Sequence, residues 1–214
     1  MRTKKTLSDS EIKKYSVYNL PKKFIKSTLD DFKIIGDTTE IRQHNTICFK
    51  RFKNYMNNLD VNLECGRGLA ICGPVGVGKT MLMTILAKEI IKIFDRHNFE
   101  LNNAANKFYF IQASRLYDLA NRQGLNEDDL NIRNSIKDLS GLWIDDLTKF
   151  GETGKGNELI YLDDIIRYRD LNVLPTFYTI QVPFKLISKV LSIPIYDIIR
   201  GNCEVIEFRG KSMR

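Results

Sequence analysis

Residues Gly73–Thr80 read Gly-Pro-Val-Gly-Val-Gly-Lys-Thr and meet the pattern G-x-x-x-x-G-K-[ST] at every fixed position. Glycines at these points let a backbone curl so that its N–H groups approach phosphate oxygens closely. A helix starting at the lysine adds further N–H donors and a partial positive charge. Lys79 can reach the outer phosphates of a nucleoside triphosphate, and the Thr80 hydroxyl can ligand Mg²⁺. Gly73, Pro74, Val75, Gly76, Val77, Gly78, Lys79, Thr80 and Met81 are therefore the candidate phosphate-binding residues.

A loop of this kind needs a strand before it and a helix after it. Leu69-Ala70-Ile71-Cys72 is a short apolar run that predicts a buried strand, entered through the Gly66-Arg67-Gly68 turn. Leu82, Ile85, Leu86, Ile90 and Ile93 recur at helical spacing across 81–94, with Lys88, Lys92 and Asp95 on another face.

A second constellation follows Lys79 by 66 positions at Asp145. Leu142-Trp143-Ile144-Asp145-Asp146 is an apolar strand ending in carboxylates, the form of a Walker B motif. Asp145 is the candidate for holding Mg²⁺ with Thr80, and Asp146 for orienting or deprotonating an attacking water. The next apolar strand ends in Thr179-Ile180-Gln181. A polar side chain there would sit between the two motif-bearing strands and touch the terminal phosphate or the water. Gln181 is the first candidate and Thr179 the second.

The chain of 214 residues has 43% hydrophobic residues, enough for a substantial core, and a formal net charge of +7. The charge favours a polyanionic partner. Cys48, Cys65, Cys72 and Cys203 show no C-x-x-C spacing, and His44 and His97 complete no metal set. Reduced thiols and a cytoplasmic location are expected. No stretch approaches the roughly 18 apolar residues of a membrane span.

Residues 1–20 are expected to be a basic arm, loose or docking to a partner, with a short helix over 8–15 capped by Ser8 or Ser10. Residues 21–65 supply lead-in helices, in which Phe24, Ile25, Leu29 and Phe32 pack onto the core. A helix is predicted over 38–58, with Ile41, Ile47 or Cys48, Phe52 and Tyr55 on one side. Over 66–214 come strands at 107–112, 141–147, 174–180 and 203–208. Helices are predicted over 113–122 (capped by Ser114), 126–138, 157–169, 183–191 and 195–199, with a loop at 151–156. Alternating strands and helices predict an α/β fold, a parallel sheet with helices on both faces.

GLAICGPVGVGKTMLM, LWIDDLTKFG, LPTFYTIQVPF and CEVIEFRGKSMR together resemble the DnaC/DnaI-type helicase loaders, and equally the IstB-type transposition ATPases. NLPKKF…TLDDF resembles the stretch preceding the ATPase core of loaders. The resemblance implies an AAA+ P-loop NTPase core with ATP and Mg²⁺ as cofactors and Gln181 or Thr179 as a sensor. It implies a homo-oligomer on DNA that hands over a partner. For loaders the partner is a hexameric replicative DNA helicase placed on single-stranded DNA; for the IstB arm it is a transposase on duplex target DNA. A nucleotide-gated scaffold, in which binding matters and hydrolysis is incidental, is a third reading.

Two departures stand out. Only about 20 residues precede NLPKKF, where loaders carry a helicase-binding domain, so the basic arm is expected to dock the helicase or the partner differs; a stand-alone loader would suit a phage or mobile element. The family's interfacial arginine falls at Ile198, leaving Arg200 or Arg169 as the finger, and slow hydrolysis is expected because a finger is worth about 10³–10⁵ in rate. Arg214 matches the family's terminal arginine. Tyr109, Phe110, Arg115, Tyr117 and Arg122 are candidate single-strand contacts, pairing basic and aromatic side chains.

Overall fold

Five short strands form one parallel sheet in the computed structural model, which describes residues 7–96, 108–121, 124–153 and 156–210. They are β1 (Gly68–Cys72), β2 (Phe108–Gln112), β3 (Gly141–Asp145), β4 (Thr176–Ile180) and β5 (Cys203–Glu207). Their spatial order is β2-β3-β4-β1-β5, so β4 is inserted between β1 and β3. Every neighbouring pair is parallel.

Strand periodicity divides the core in two. Leu69, Ile71, Phe108, Phe110, Trp143, Phe177 and Ile206 point to one face. Ala70, Cys72, Ile111, Leu142, Ile144, Tyr178 and Ile180 point to the other. On the first face Trp143 stacks on Phe177 at 5.2 Å, and Phe108 lies 5.7 Å from Trp143. Helices α1 (Asp9–Val17), α2 (Thr39–Asn57), α3 (Leu59–Glu64) and α4 (Lys79–Arg96) cover that face. The second face is covered by α5 (Ala113–Asn121), α6 (Glu127–Ser135), α7 (Thr148–Thr153), α8 (Asn157–Leu171), α9 (Ile187–Val190) and α10 (Ile193–Asn202). Among the described residues, no helix is long and apolar enough to cross a membrane.

Local chemistry sets the helix starts. Ser8 forms a capping box with Glu11 at the head of α1. Thr38 caps α2, and Asn126 caps α6. Ser192 caps α10, whose second residue is Pro194. Ser114 is no cap: α5 begins at Ala113, directly after β2, so Ser114 is already helical. The expected loop over 151–156 is helical through Thr153, as the end of α7; residues 154–155 lie outside the described set. On α2, Cys48 takes the inward position while Ile47 is exposed.

The loose arm expected over 1–20 is not what residues 7–20 form. Tyr15, Tyr18 and Leu20 are buried in the same core as α2 and α4. The Phe110 N–H of β2 donates to the Tyr18 carbonyl at 3.0 Å, and Asn19 Nδ2 donates to the Phe110 carbonyl at 2.8 Å. Lys14 pairs with Asp95 of α4. Residues 1–6 lie outside the described set.

The lead-in, 21–37, is fixed just as firmly. Lys88 of α4 is buried, and its Nζ donates to the Ile25 carbonyl at 2.8 Å and to the Ser27 carbonyl. Burial, reinforced by neighbouring Lys92, pulls the Lys88 ammonium down to about 8 from its ordinary 10.5. Buried Asn45 of α2 donates to the carbonyls of Ile35 and Arg209 and accepts from the Arg209 N–H. One amide thereby joins the lead-in to the chain beyond β5.

Candidate functional site

The phosphate-loop residues leave the carboxyl end of β1, and Asp145-Asp146 and Thr179–Gln181 leave the carboxyl ends of β3 and β4. Insertion of β4 between β1 and β3 puts all three on one edge of the sheet. Ligands of open α/β sheets bind at that edge.

Two glycines are required sterically. Gly73 has φ +139°, and a Cβ there would sit 2.5 Å from the Phe208 carbonyl oxygen. Gly78 has φ +91°, and a Cβ there would meet the Phe32 ring at 2.6 Å. Phe32 of the lead-in therefore lies directly over the loop. Val77 anchors the loop in the core, whereas Val75 at its tip is exposed. Lys79 opens α4 and curls back, its buried Nζ donating to the carbonyls of Gly73 at 2.7 Å and Pro74 at 2.9 Å.

Asp145 shares strand parity with Trp143, so its carboxylate points to the α4 side. There Thr80 Oγ1 donates to Asp145 Oδ1 at 3.0 Å. Thr179 shares parity with Phe177, and its hydroxyl donates to the same oxygen at 2.6 Å. The Thr179 oxygen also accepts from the Asp146 N–H at 2.8 Å. Asp146 adopts φ +63°, a left-handed conformation that short polar side chains tolerate. That turn takes its carboxylate out of the strand alternation, where Gln181 Nε2 donates to Oδ2. Thr179 thus grips the sheet-side carboxylate, and Gln181 the next one.

These groups enclose a cavity of about 410 Å³. It is lined by Val75, Gly76, Gly78, Lys79, Thr80 and Met81 from the loop side and by Asp145, Asp146, Thr179 and Gln181 from the strand ends. Lys23 and Phe24 of the lead-in also line it. Sequence reasoning placed Phe24 in the core and gave Lys23 no role; no local pattern could have brought a turn about 50 residues upstream to the loop. The hydroxyl and carboxylate oxygens of Thr80 and Asp145 are hard donors suited to Mg²⁺. Among the described residues, no three His, Cys, Asp or Glu side chains gather around one point. An ion held by this pair would complete its shell with phosphate and water oxygens.

The two finger candidates separate sharply. Arg169 cannot be a finger in this structure, because its side chain is fully buried. Its guanidinium donates to Thr176 Oγ1 at 2.8 Å and to the carbonyls of Lys137, Leu139 and Pro175 at 3.1, 2.6 and 2.8 Å. Burial lowers its pKa from 12.5 to about 10. Arg200 is exposed near the end of α10. It lies just before Cys203, which pairs with Gly68 at the amino edge of the sheet. The phosphate loop starts past Cys72, one strand length away at about 3.3 Å per residue, so Arg200 cannot serve its own site. Arg214 and Arg122 lie outside the described residues. Of the candidate single-strand contacts, Phe110 is buried in the core and Arg115 pairs with Asp129 and Asp118.

Sheet order, loop, strand-end carboxylates and helices on both faces give the chain the α/β fold of a P-loop NTPase core. Among solved structures the fold is similar to DnaI, with a TM-score of 0.62, 21% identity and 92% of this chain covering 99% of that one. It is similar to the DnaC helicase loader, with a TM-score of 0.64, 19% identity and coverage of 88% and 99%. It is also similar to the replication initiator DnaA bound to AMPPCP and single-stranded DNA, with a TM-score of 0.60 and 18% identity; there 88% of this chain spans 50% of that chain. No protein-family model and no curated protein matches the chain.

Proposed function

We propose that this chain is an ATP-binding and ATP-hydrolysing AAA+ protein that loads a hexameric replicative helicase onto single-stranded DNA. The observation that carries the nucleotide reading is the linked set Thr80–Asp145–Thr179 facing Lys79 across the cavity. The loading step is supported by similarity in fold to DnaI and to the DnaC helicase loader over nearly their whole length.

In this reading the loop N–H groups and Lys79 hold the β- and γ-phosphates of ATP. Thr80 and Asp145 would hold Mg²⁺, which would supply positive charge against that developing on the phosphates. Asp146, steered by Gln181, takes a proton from the attacking water. Thr179 holds the Asp145 carboxylate and the Asp146 backbone N–H, so nucleotide state at the loop is felt at β4. Lys79 now rests on two carbonyls of its own loop, and binding phosphate means exchanging those bonds. Hydrolysis is slow in the lone chain, because Arg200 can reach only a neighbouring copy's site. Assembly on DNA or helicase therefore sets the rate.

The test is a loading assay with the host's replicative helicase, circular single-stranded DNA carrying an annealed oligonucleotide, and ATP. Strand displacement should depend on this chain and be lost with Lys79→Ala. Displacement that ignores the chain would sink the loader reading. Ile198 at the family's finger position favours a second reading, a nucleotide-gated scaffold; assembly unchanged in Asp146→Asn would support it.

A further inference from the structure

We infer that Lys23 is a second phosphate-reading cation of the nucleotide site, supplied by the lead-in and selective for the terminal phosphate. The inference rests on the nucleotide site proposed above and adds a residue to it. Lys23 lines the same cavity as Lys79, Asp146, Thr179 and Gln181. It is exposed, and among the described residues it has no carboxylate partner; its Nζ lies 5.4 Å from the centroid of the Phe24 ring. An exposed lysine on a cavity lining that forms no ion pair among the described residues is free to swing inward.

The backbone beneath it is not free. Residues Lys22–Phe24 form a single 3-10 turn closed by the Phe24 N–H to the Pro21 carbonyl at 2.9 Å. The next residues are pinned by Lys88, and Ile25 is buried. The Lys23 side chain therefore starts from a fixed point beside the loop tip. Lys23 and Lys79 are the two lysines among the residues that line this cavity. The loop backbone and helix N-terminus cradle the inner phosphates. Lys23 shares the cavity lining with Asp146 and Gln181, which the proposed reading sets against the attacking water and the outer phosphate. Lys23 thereby couples the terminal phosphate to the segment that carries α1.

The test is calorimetric titration of the full chain with MgAMPPCP and, separately, MgADP. A charge-assisted hydrogen bond of this kind is worth about tenfold in affinity. Lys23→Ala should weaken MgAMPPCP about tenfold and leave MgADP within about twofold, while Lys23→Arg stays near wild type. Lys22→Ala, which removes the same charge one residue away, should change neither. Equal affinities in wild type and Lys23→Ala overturn the inference but leave the nucleotide site standing, as does a loss shared equally by MgADP. A wild-type chain that binds neither nucleotide overturns the site reading and this inference with it.

Discussion

Replacing Arg169 with methionine separates a structural arginine from a catalytic one. In the folded chain the guanidinium is fully buried, and its four hydrogen bonds end on a hydroxyl and three backbone carbonyls. Its pKa depression from 12.5 to about 10 corresponds to about 3 kcal/mol of desolvation carried by the folded state. Methionine removes that cost and fills much of the volume. It also strands the carbonyls of Lys137, Leu139 and Pro175, at about 1–3 kcal/mol each. The balance favours wild type by about 3 kcal/mol, in line with other broken buried charge networks. Urea unfolding followed by Trp143, the single tryptophan and itself buried, measures it directly. The midpoint should fall well below wild type while the slope holds. If Arg169→Met unfolds at the wild-type urea concentration, yet abolishes ATP turnover when mixed with wild-type subunits, the reasoning is refuted and Arg169 belongs at a subunit interface.

Thr179→Val keeps shape and removes the bond to Asp145; turnover should fall about 10-fold to 100-fold in a coupled ATPase assay, with nucleotide affinity changed less than about threefold. Arg200→Ala should lower turnover of assembled protein by about 10³ without weakening ATP binding. Mixing it with Lys79→Ala subunits, which keep Arg200, should restore part of the rate; no restoration would remove Arg200 from the interface. Lys88 has a folded pKa near 8, below its ordinary value of 10.5, so folding expels a proton between those limits. Stability contributed by this site therefore rises from about pH 8 to about 10. Tyr55 and Cys72, whose burial raises their pKa, oppose the trend in the same window. The difference in melting temperature between wild type and Lys88→Met isolates the lysine, and should move in favour of wild type as pH rises.

The α/β alternation and its two motifs were legible because each is local: a strand of four or five apolar residues, a turn of glycines, a helix with apolar period. Strand order was not local: the expectation that Thr179–Gln181 would sit between the motif strands came with the sensor arrangement of the resembled family, and β4 does lie there. Arg169 misled because a charged residue in a polar helix reads as surface; its burial depends on the nearby Pro175 carbonyl and on those of Lys137 and Leu139, which are distant in sequence. Residues 7–20 misled because Ser, Asp, Glu, Lys and Asn outnumber the apolar residues there. Leu7, Ile12, Tyr15 and Tyr18 nonetheless carry a helical apolar spacing that points inward. Nothing in the pattern set Lys23 and Phe24 at the cavity, since their place there depends on Lys88 holding the lead-in and on Phe32 against Gly78.

The hydrogen bonds between Phe110 and Tyr18–Asn19 have a practical consequence. β2 ends the strand order, and an outermost strand with open N–H and C=O groups is a template for pairing with another chain. Here the protein's own leading segment occupies part of that margin and shields Phe108 and Phe110 from behind. Trimming the chain to its motif-bearing region would uncover hydrogen-bonding groups and aromatic surface together. The shortened product would be a stickier protein, prone to lateral self-association.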